Sequence, residues 1–152
     1  SSSDIALIKL SSPVSDIIPI SVYSEAAEKG RVITVFGKGA TGNGLTGENV
    51  ETKSLNQANK FQNVVESANG KWLTFKFDSP KNALPLEGMH GSGDSGGASI
   101  IYQDGEPYLV GLSSWQFATG DISEFKGGLY GTTAYQTRLS NYYHWILNII
   151  GN

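Results

Sequence analysis

Short runs of β-branched and aromatic residues recur along this chain, each closed by glycine or another turn former. RVITVFGKG (Arg31 to Gly39), KWLTFKF (Lys71 to Phe77), GASIIYQ (Gly97 to Gln103), PYLVGLSSW (Pro107 to Trp115) and GGLYGTTAY (Gly127 to Tyr135) read as strands, because such side chains suit a pleated, half-buried surface. Another strand pattern begins at Ile5, in DIALIKL. QDGE (Gln103 to Glu106) predicts a two-residue hairpin turn, since Asp104-Gly105 supplies the positive φ such loops favour. One helix is predicted, over about Thr137 to Ile150. It rests on the three- and four-residue spacing of Leu139, Tyr142, Tyr143, Ile146, Ile149 and Ile150, with Thr137 or Ser140 as cap. Thr52 to Ser67 suits either a short helix or a strand, and Gly39 to Asn49 is too glycine-rich for regular structure. Many short strands, glycine turns and one terminal helix predict a small antiparallel barrel.

At 152 residues the chain suits one compact domain, long enough to bury roughly two-thirds of its unfolded surface. Its net charge of -3 removes the clustered basic surface that nucleic-acid binding needs, so no nucleic-acid partner is expected. No apolar run approaches the roughly 20 residues of a membrane helix, since even WILNII is interrupted by Asn148; no membrane partner is expected. There are no cysteines, so disulfides contribute nothing. The opening SSSDIALIKL has no initiator Met and no signal-type core, and reads as the interior of a longer polypeptide.

The chemistry concentrates in GSGDSGGAS, Gly91 to Ser99, where Ser95 follows an aspartate among four glycines, Gly91, Gly93, Gly96 and Gly97. Positions without Cβ let a substrate carbonyl approach backbone N–H groups and allow tight turns. The arrangement points to acyl transfer, with the N–H groups of Gly93 and Ser95 aimed at a developing oxyanion while the Ser95 hydroxyl attacks. An ordinary glycine-rich turn is the bland alternative. A second is the nucleophile elbow of α/β-hydrolases, for which Ser95, Asp121 and His144 stand in the required order. That elbow needs a strand before the serine and a helix after it, whereas LPLEGMHG precedes Ser95 and strand-like ASIIYQ follows.

Five segments in order resemble the chymotrypsin/trypsin-like serine proteases. DIALIKL, followed by Pro13, is similar to the stretch around the triad aspartate; GSGDSGG to the nucleophile loop; LVGLSSW and GGLYGTT to strands bounding the specificity pocket; YYHWILNII to the C-terminal helix. The resemblance implies an all-β fold, an antiparallel six-stranded Greek-key barrel with a C-terminal helix over 137–150. Residues 1–152 would be the C-terminal barrel part of such a protease, its N-terminal barrel lying outside the chain. It implies Ser95 as nucleophile, the Gly93 and Ser95 amides as oxyanion hole, Asp4 as the acid orienting the base, and Ser114 holding Asp4. Asp94 would pair with an amino terminus released by activation. Met89, His90, Ser114, Trp115, Gln116 and Gly128 would line the substrate site, and Met89 at the pocket base disfavours Lys or Arg side chains. Apolar or small side chains are expected there, with acidic ones the alternative if His90 reaches them. The family's base histidine precedes the aspartate, and only three residues precede Asp4, so neither His90 nor His144 fills that role; His144 is expected to be structural or exposed. No cofactor or metal is implied. The expected partners are polypeptide substrates and a protease segment carrying the histidine, in a secreted or periplasmic setting. A catalytically inactive pseudoprotease or binding module of the same fold is the alternative.

Overall fold

The computed structural model describes residues 3–119, 123 and 125–151, with the side chains of 53–55 left aside. Ten strands appear among them: β1 Ser21–Val22, β2 Val32–Gly37, β3 Thr41–Asn43, β4 Gly47–Asn49, β5 Asn59–Val64, β6 Ser67–Asn69, β7 Trp72–Lys76, β8 Ala98–Gln103, β9 Glu106–Phe117 and β10 Thr133–Arg138. One helix, α1, covers Tyr143–Ile150.

The main sheet runs β5-β2-β8-β9-β10-β7-β6, and its two ends belong to one bent strand. At the bend, Val65 N–H donates to Arg31 O at 2.9 Å while Glu66 N–H donates to Thr74 O at 2.9 Å. Residues 59–64 therefore pair with β2 and residues 67–69 with β7. The sheet curls on itself as an antiparallel barrel of six strands, counting β5 and β6 as one. Its order is that of a Greek key: β2, β5–β6 and β7 are sequential neighbours, β8, β9 and β10 likewise, and β8 returns to lie beside β2. Alternation fills the interior. Ile33 and Val35 from β2, Leu73 and Phe75 from β7, Ile101, Val110 and Ala134 form the core with Tyr23 and Val65; each large side chain so buried contributes about 1.5–3 kcal/mol.

The hairpin turn at Asp104-Gly105 has φ of 51° and 83°, as the sequence predicts. Three other expectations need correction, and one left open is resolved. Residues 3–20 form no strand although DIALIKL alternates, because no neighbour offers them a ladder. The stretch at 39–49 contains the small hairpin β3–β4, pairing Thr41 with Asn49 and Asn43 with Gly47; glycine fits because a Cβ on Gly42 would lie 2.3 Å from Gly47 O. The segment 52–67 divides, with a 3-10 turn at Val50–Leu55 and strand β5 after it. The last strand starts at Thr133 rather than Gly127.

The helix, too, starts later than Thr137. Thr137 still belongs to β10, paired with Trp72 and Leu112, and a 3-10 turn, Leu139–Tyr142, intervenes. Neither expected cap acts as one: the Thr137 hydroxyl donates to Asp4 O, and the Ser140 hydroxyl donates to Glu28. Only Ile146 of α1 is buried, and Ile149 and Ile150 are exposed. Asp121, required by the α/β-hydrolase alternative, lies outside the described residues; the barrel's antiparallel pairing excludes that fold on its own.

Candidate active site

The glycine-rich loop of residues 91–97 sits in the long connection from β7 to β8, and two consecutive turns shape it. Asp94 N–H donates to Gly91 O at 3.1 Å, and Gly97 N–H to Asp94 O at 2.8 Å. The Asp94 carboxylate completes the first turn, accepting from Gly91 N–H at 2.8 Å and from Gly39 N–H at 2.6 Å. Gly97 is dictated by contact, since a Cβ there would lie 2.4 Å from Phe36 O. Gly93 has φ +95°, open to glycine at no steric cost.

Peptide geometry then fixes where the amides point. In a trans peptide the C=O and the following N–H are antiparallel. Ser92 O accepts from Ala40 N–H at 2.9 Å on the inner side, so Gly93 N–H faces outward. Asp94 O is likewise spent within its turn, which directs Ser95 N–H away from it. Neither amide donates to any described residue, and Ser95 is exposed beside them. The loop thus carries an exposed serine and two N–H groups with no acceptor among the described residues, the ingredients for attacking a carbonyl and holding the resulting oxyanion.

Asp4 is held against β9 and β10 by two bonds: the Ser114 hydroxyl donates to its Oδ2, and the Thr137 hydroxyl donates to its main-chain oxygen at 2.8 Å. Trp115, 42% exposed, stacks on Tyr135 with ring centres 3.9 Å apart. Gln116 Oε1 accepts from Gly128 N–H at 3.1 Å, joining two residues expected at the pocket. Met89 is half-buried against the core. With Val35, Phe36, Phe61 and Asp94 it lines a cavity of about 260 Å³.

His90, expected among the substrate-site residues, is engaged within the protein. It is 4% exposed, with Nε2 3.1 Å from Trp115 O and Nδ1 3.3 Å from Gln136 Nε2. A carbonyl only accepts and an amide NH2 only donates, so Nε2 carries the proton and the ring is neutral. Burial lowers its pKa, outweighing the Trp115 carbonyl and the charges of Asp94 and Glu48. A neutral, fully engaged ring cannot pair with an acidic substrate side chain. His144 is exposed on α1.

Sequence reasoning missed three groups. Gln136 centres a buried network, accepting from the Ser99 hydroxyl and reaching Ser113 and His90. Glu28, fully buried, forms a two-pronged ion pair with Arg138 at 2.8 and 2.9 Å. Glu48 accepts from both Ser92 N–H and Ser92 Oγ–H at 2.7 Å. Nothing in their local sequence separates them from solvated polar residues. Among the described residues no cluster of three His, Cys, Asp or Glu side chains could hold a metal ion, and no helix is long and apolar enough to cross a membrane.

A closed antiparallel barrel carrying a serine and two free amides on a glycine-shaped loop defines a serine-protease-like architecture. The family model Trypsin matches residues 1–146, and the chain belongs to the trypsin family. No match is found among curated proteins.

Proposed function

We propose that this chain is the C-terminal part of a serine endopeptidase that forms its acyl-enzyme on Ser95. The observation that carries the reading is the 91–97 loop, which exposes the Ser95 hydroxyl beside the unpaired amides of Gly93 and Ser95. Ser95 Oγ attacks the scissile carbonyl carbon and passes its proton to a base; the tetrahedral oxyanion rests on the two amides. The C–N bond then breaks, the base returns the proton to the leaving amine, and water later releases the acyl group by the same route. Asp4, held by Ser114, orients that base and stabilises its cationic form. The base is a histidine on a segment outside these residues, because His90 is locked in the core and His144 stands on α1. The cavity beside Asp94, lined by Val35, Phe61 and Met89 but also by Asn43, Glu48 and Lys60, leaves room for the family's pairing of that carboxylate with an amino terminus. Preference for apolar or small side chains over Lys and Arg follows from the lack of a carboxylate at Met89. Activity on polypeptides in a secreted or periplasmic setting completes the reading.

A fluorophosphonate probe tests it, since it labels only an activated serine. With the base-bearing segment present, stoichiometric labelling of Ser95 is expected; the chain by itself should stay unlabelled. The engagement of His90 in the core and the exposure of His144 on α1 favour one competing reading, a binding module of the same fold. That reading takes over if the chain joined to its upstream segment remains unlabelled.

A further inference from the structure

The nucleophile loop has no covalent tie to its surroundings, since the chain contains no cysteine. Its orientation is therefore set by hydrogen bonds, and those at Ser92 converge on one neighbouring element. Ser92 O takes the Ala40 amide, while Ser92 N–H and Oγ–H both go to the Glu48 carboxylate, each at 2.7 Å. Three bonds from the 39–49 stretch thus grip the residue whose C=O is antiparallel to the Gly93 amide. Charge-assisted bonds of this kind are the strong ones.

Glu48 is itself rigidly presented. It lies on β4, opposite Gly42, and the hairpin tip is closed by Asn43, which accepts from Leu45 and Thr46 N–H at 3.0 Å. The hairpin's other side is pinned to a third loop. Glu48 N–H donates to Gly127 O and Tyr130 N–H donates to Gly44 O, both at 2.9 Å. Glycine opens the space on both flanks: a Cβ on Gly91 would lie 2.8 Å from Glu48 Oε2, and one on Gly127 would lie 2.8 Å from Glu48 Oε1. One carboxylate therefore stands where the nucleophile loop, the β3–β4 hairpin and the 127–128 turn meet.

We propose that Glu48 is the positioning residue for the Gly93 amide, holding the Ser92–Gly93 peptide in the orientation that aims this N–H outward. Freed of Glu48, Ser92 loses two of its three bonds, and the Ala40 bond alone restrains the Ser92–Gly93 peptide. The inference rests on Ser95 being the nucleophile for its catalytic consequence, but not for its structural one.

The test has two arms. In the first, amide hydrogen exchange and the Gly93 amide resonance are followed by NMR on this chain. In Glu48→Ala, Ser92 exchange should speed up by about tenfold or more, the scale of a lost bond to a charged acceptor, and the Gly93 resonance should move. Glu48→Gln, which keeps one acceptor, and Ser92→Ala, which loses only the hydroxyl bond, should fall between and guard against an unfolded alanine variant. In the second arm the chain is combined with the base-bearing segment. Affinity for a peptidyl trifluoromethyl ketone, which forms an oxyanion on Ser95, should fall about tenfold or more. The Ki of a non-covalent peptide inhibitor should stay constant, a split that general loss of structure would not produce. Unchanged Ser92 exchange and an unmoved Gly93 signal in folded variants overturn the proposal, as does equal loss of both inhibitors. A wild-type enzyme that binds no ketone would instead sink the protease reading, and the first arm alone then decides the role of Glu48.

Discussion

The Ser114 hydroxyl donates to Oδ2 of Asp4, joining residues 110 positions apart. Asp4 belongs to an irregular, solvent-facing segment, so this bond and the one from Thr137 are what place its carboxylate. Ser114→Ala should leave Asp4 nearby through Thr137 yet free its carboxylate to rotate, lowering kcat of the base-complemented enzyme about tenfold. Asp4→Asn removes the negative charge and puts a donor in place of one acceptor oxygen, and should cost more, towards the roughly 10⁴-fold seen when a triad acid becomes an amide. Steady-state hydrolysis of a peptide ester measures both; equal activity of Ser114→Ala and wild type would separate this bond from catalysis.

The strongest local signals were readable because each has one physical cause. Glycines around Ser95 announce close backbone approach, and Asp104-Gly105 announces positive φ at a hairpin turn. Apolar alternation was reliable where a neighbouring strand exists, as at Leu73 and Phe75, and misleading at 5–10, where none does. Thr137 could not be told from a helix cap because its strand partners, Trp72 and Leu112, are remote in sequence. Glu28 and Glu48 resemble surface acids until tertiary structure brings Arg138 and Ser92 to them.

Arg138→Ala should be among the most damaging single changes. It leaves the buried Glu28 carboxylate without its cation, with the Ser140 hydroxyl and its own backbone N–H as donors, and breaking a buried pair from one side typically costs about 3–5 kcal/mol. Burial raises the Glu28 pKa, but the bonds from Arg138 and Ser140 prevail and the net shift is downward. A carboxylate with a lowered folded pKa contributes stability that is complete above its unfolded value and is lost as pH falls through the folded one. Urea unfolding should show that loss below about pH 4.5, the ordinary Glu value; a flat profile there would contradict the pairing.

His90 places a second pH dependence at a higher window. Its pKa is lowered by burial, so between the ordinary value of 6.5 and its folded value the unfolded chain binds the extra proton. Stability therefore rises with pH across that window and declines as pH drops below about 6.5. His90→Gln, which cannot titrate, should remove this slope while retaining the one assigned to Glu28. Identical pH profiles for the two proteins would refute the assignment.

Asp94 couples the nucleophile loop to the cavity beneath it. Its carboxylate accepts from Gly39 and Gly91, so Asp94→Ala should leave two amides without their acceptor at about 1–3 kcal/mol each. A short peptide with a free ammonium on an N-terminal isoleucine should raise the melting temperature of wild type in proportion to the logarithm of its concentration. The same peptide with an acetylated terminus should not, nor should either peptide act on Asp94→Ala. Equal stabilisation by both peptides would remove the charge pairing from the account.

The segment between Asp4 and Ser21 is fastened at both ends yet packs on little in between. Asp4 is held by Ser114 and Thr137, and β1 pairs Ser21 with Tyr108 in parallel fashion. Between them Leu7, Ile8, Leu10, Val14, Ile17 and Ile18 are exposed, Ile8 at 84% and Ile18 at 93%. Exposed apolar side chains spaced along a backbone pinned at both ends cost little entropy to cover, which makes them a surface for burial rather than a fraying tail. In the proposed enzyme the base-bearing segment covers it. The isolated chain should therefore self-associate at micromolar concentrations in sedimentation velocity and bind an apolar dye. The double variant Ile8→Asp/Ile18→Asp should be monomeric and dye-free, with its melting temperature nearly unchanged because neither side chain contributes to the core. Adding the base-bearing segment should suppress association of wild type but bind the double variant poorly. A wild-type chain that stays monomeric without binding dye would show that these residues need no cover, and would remove the reason for placing the second half of the enzyme against them.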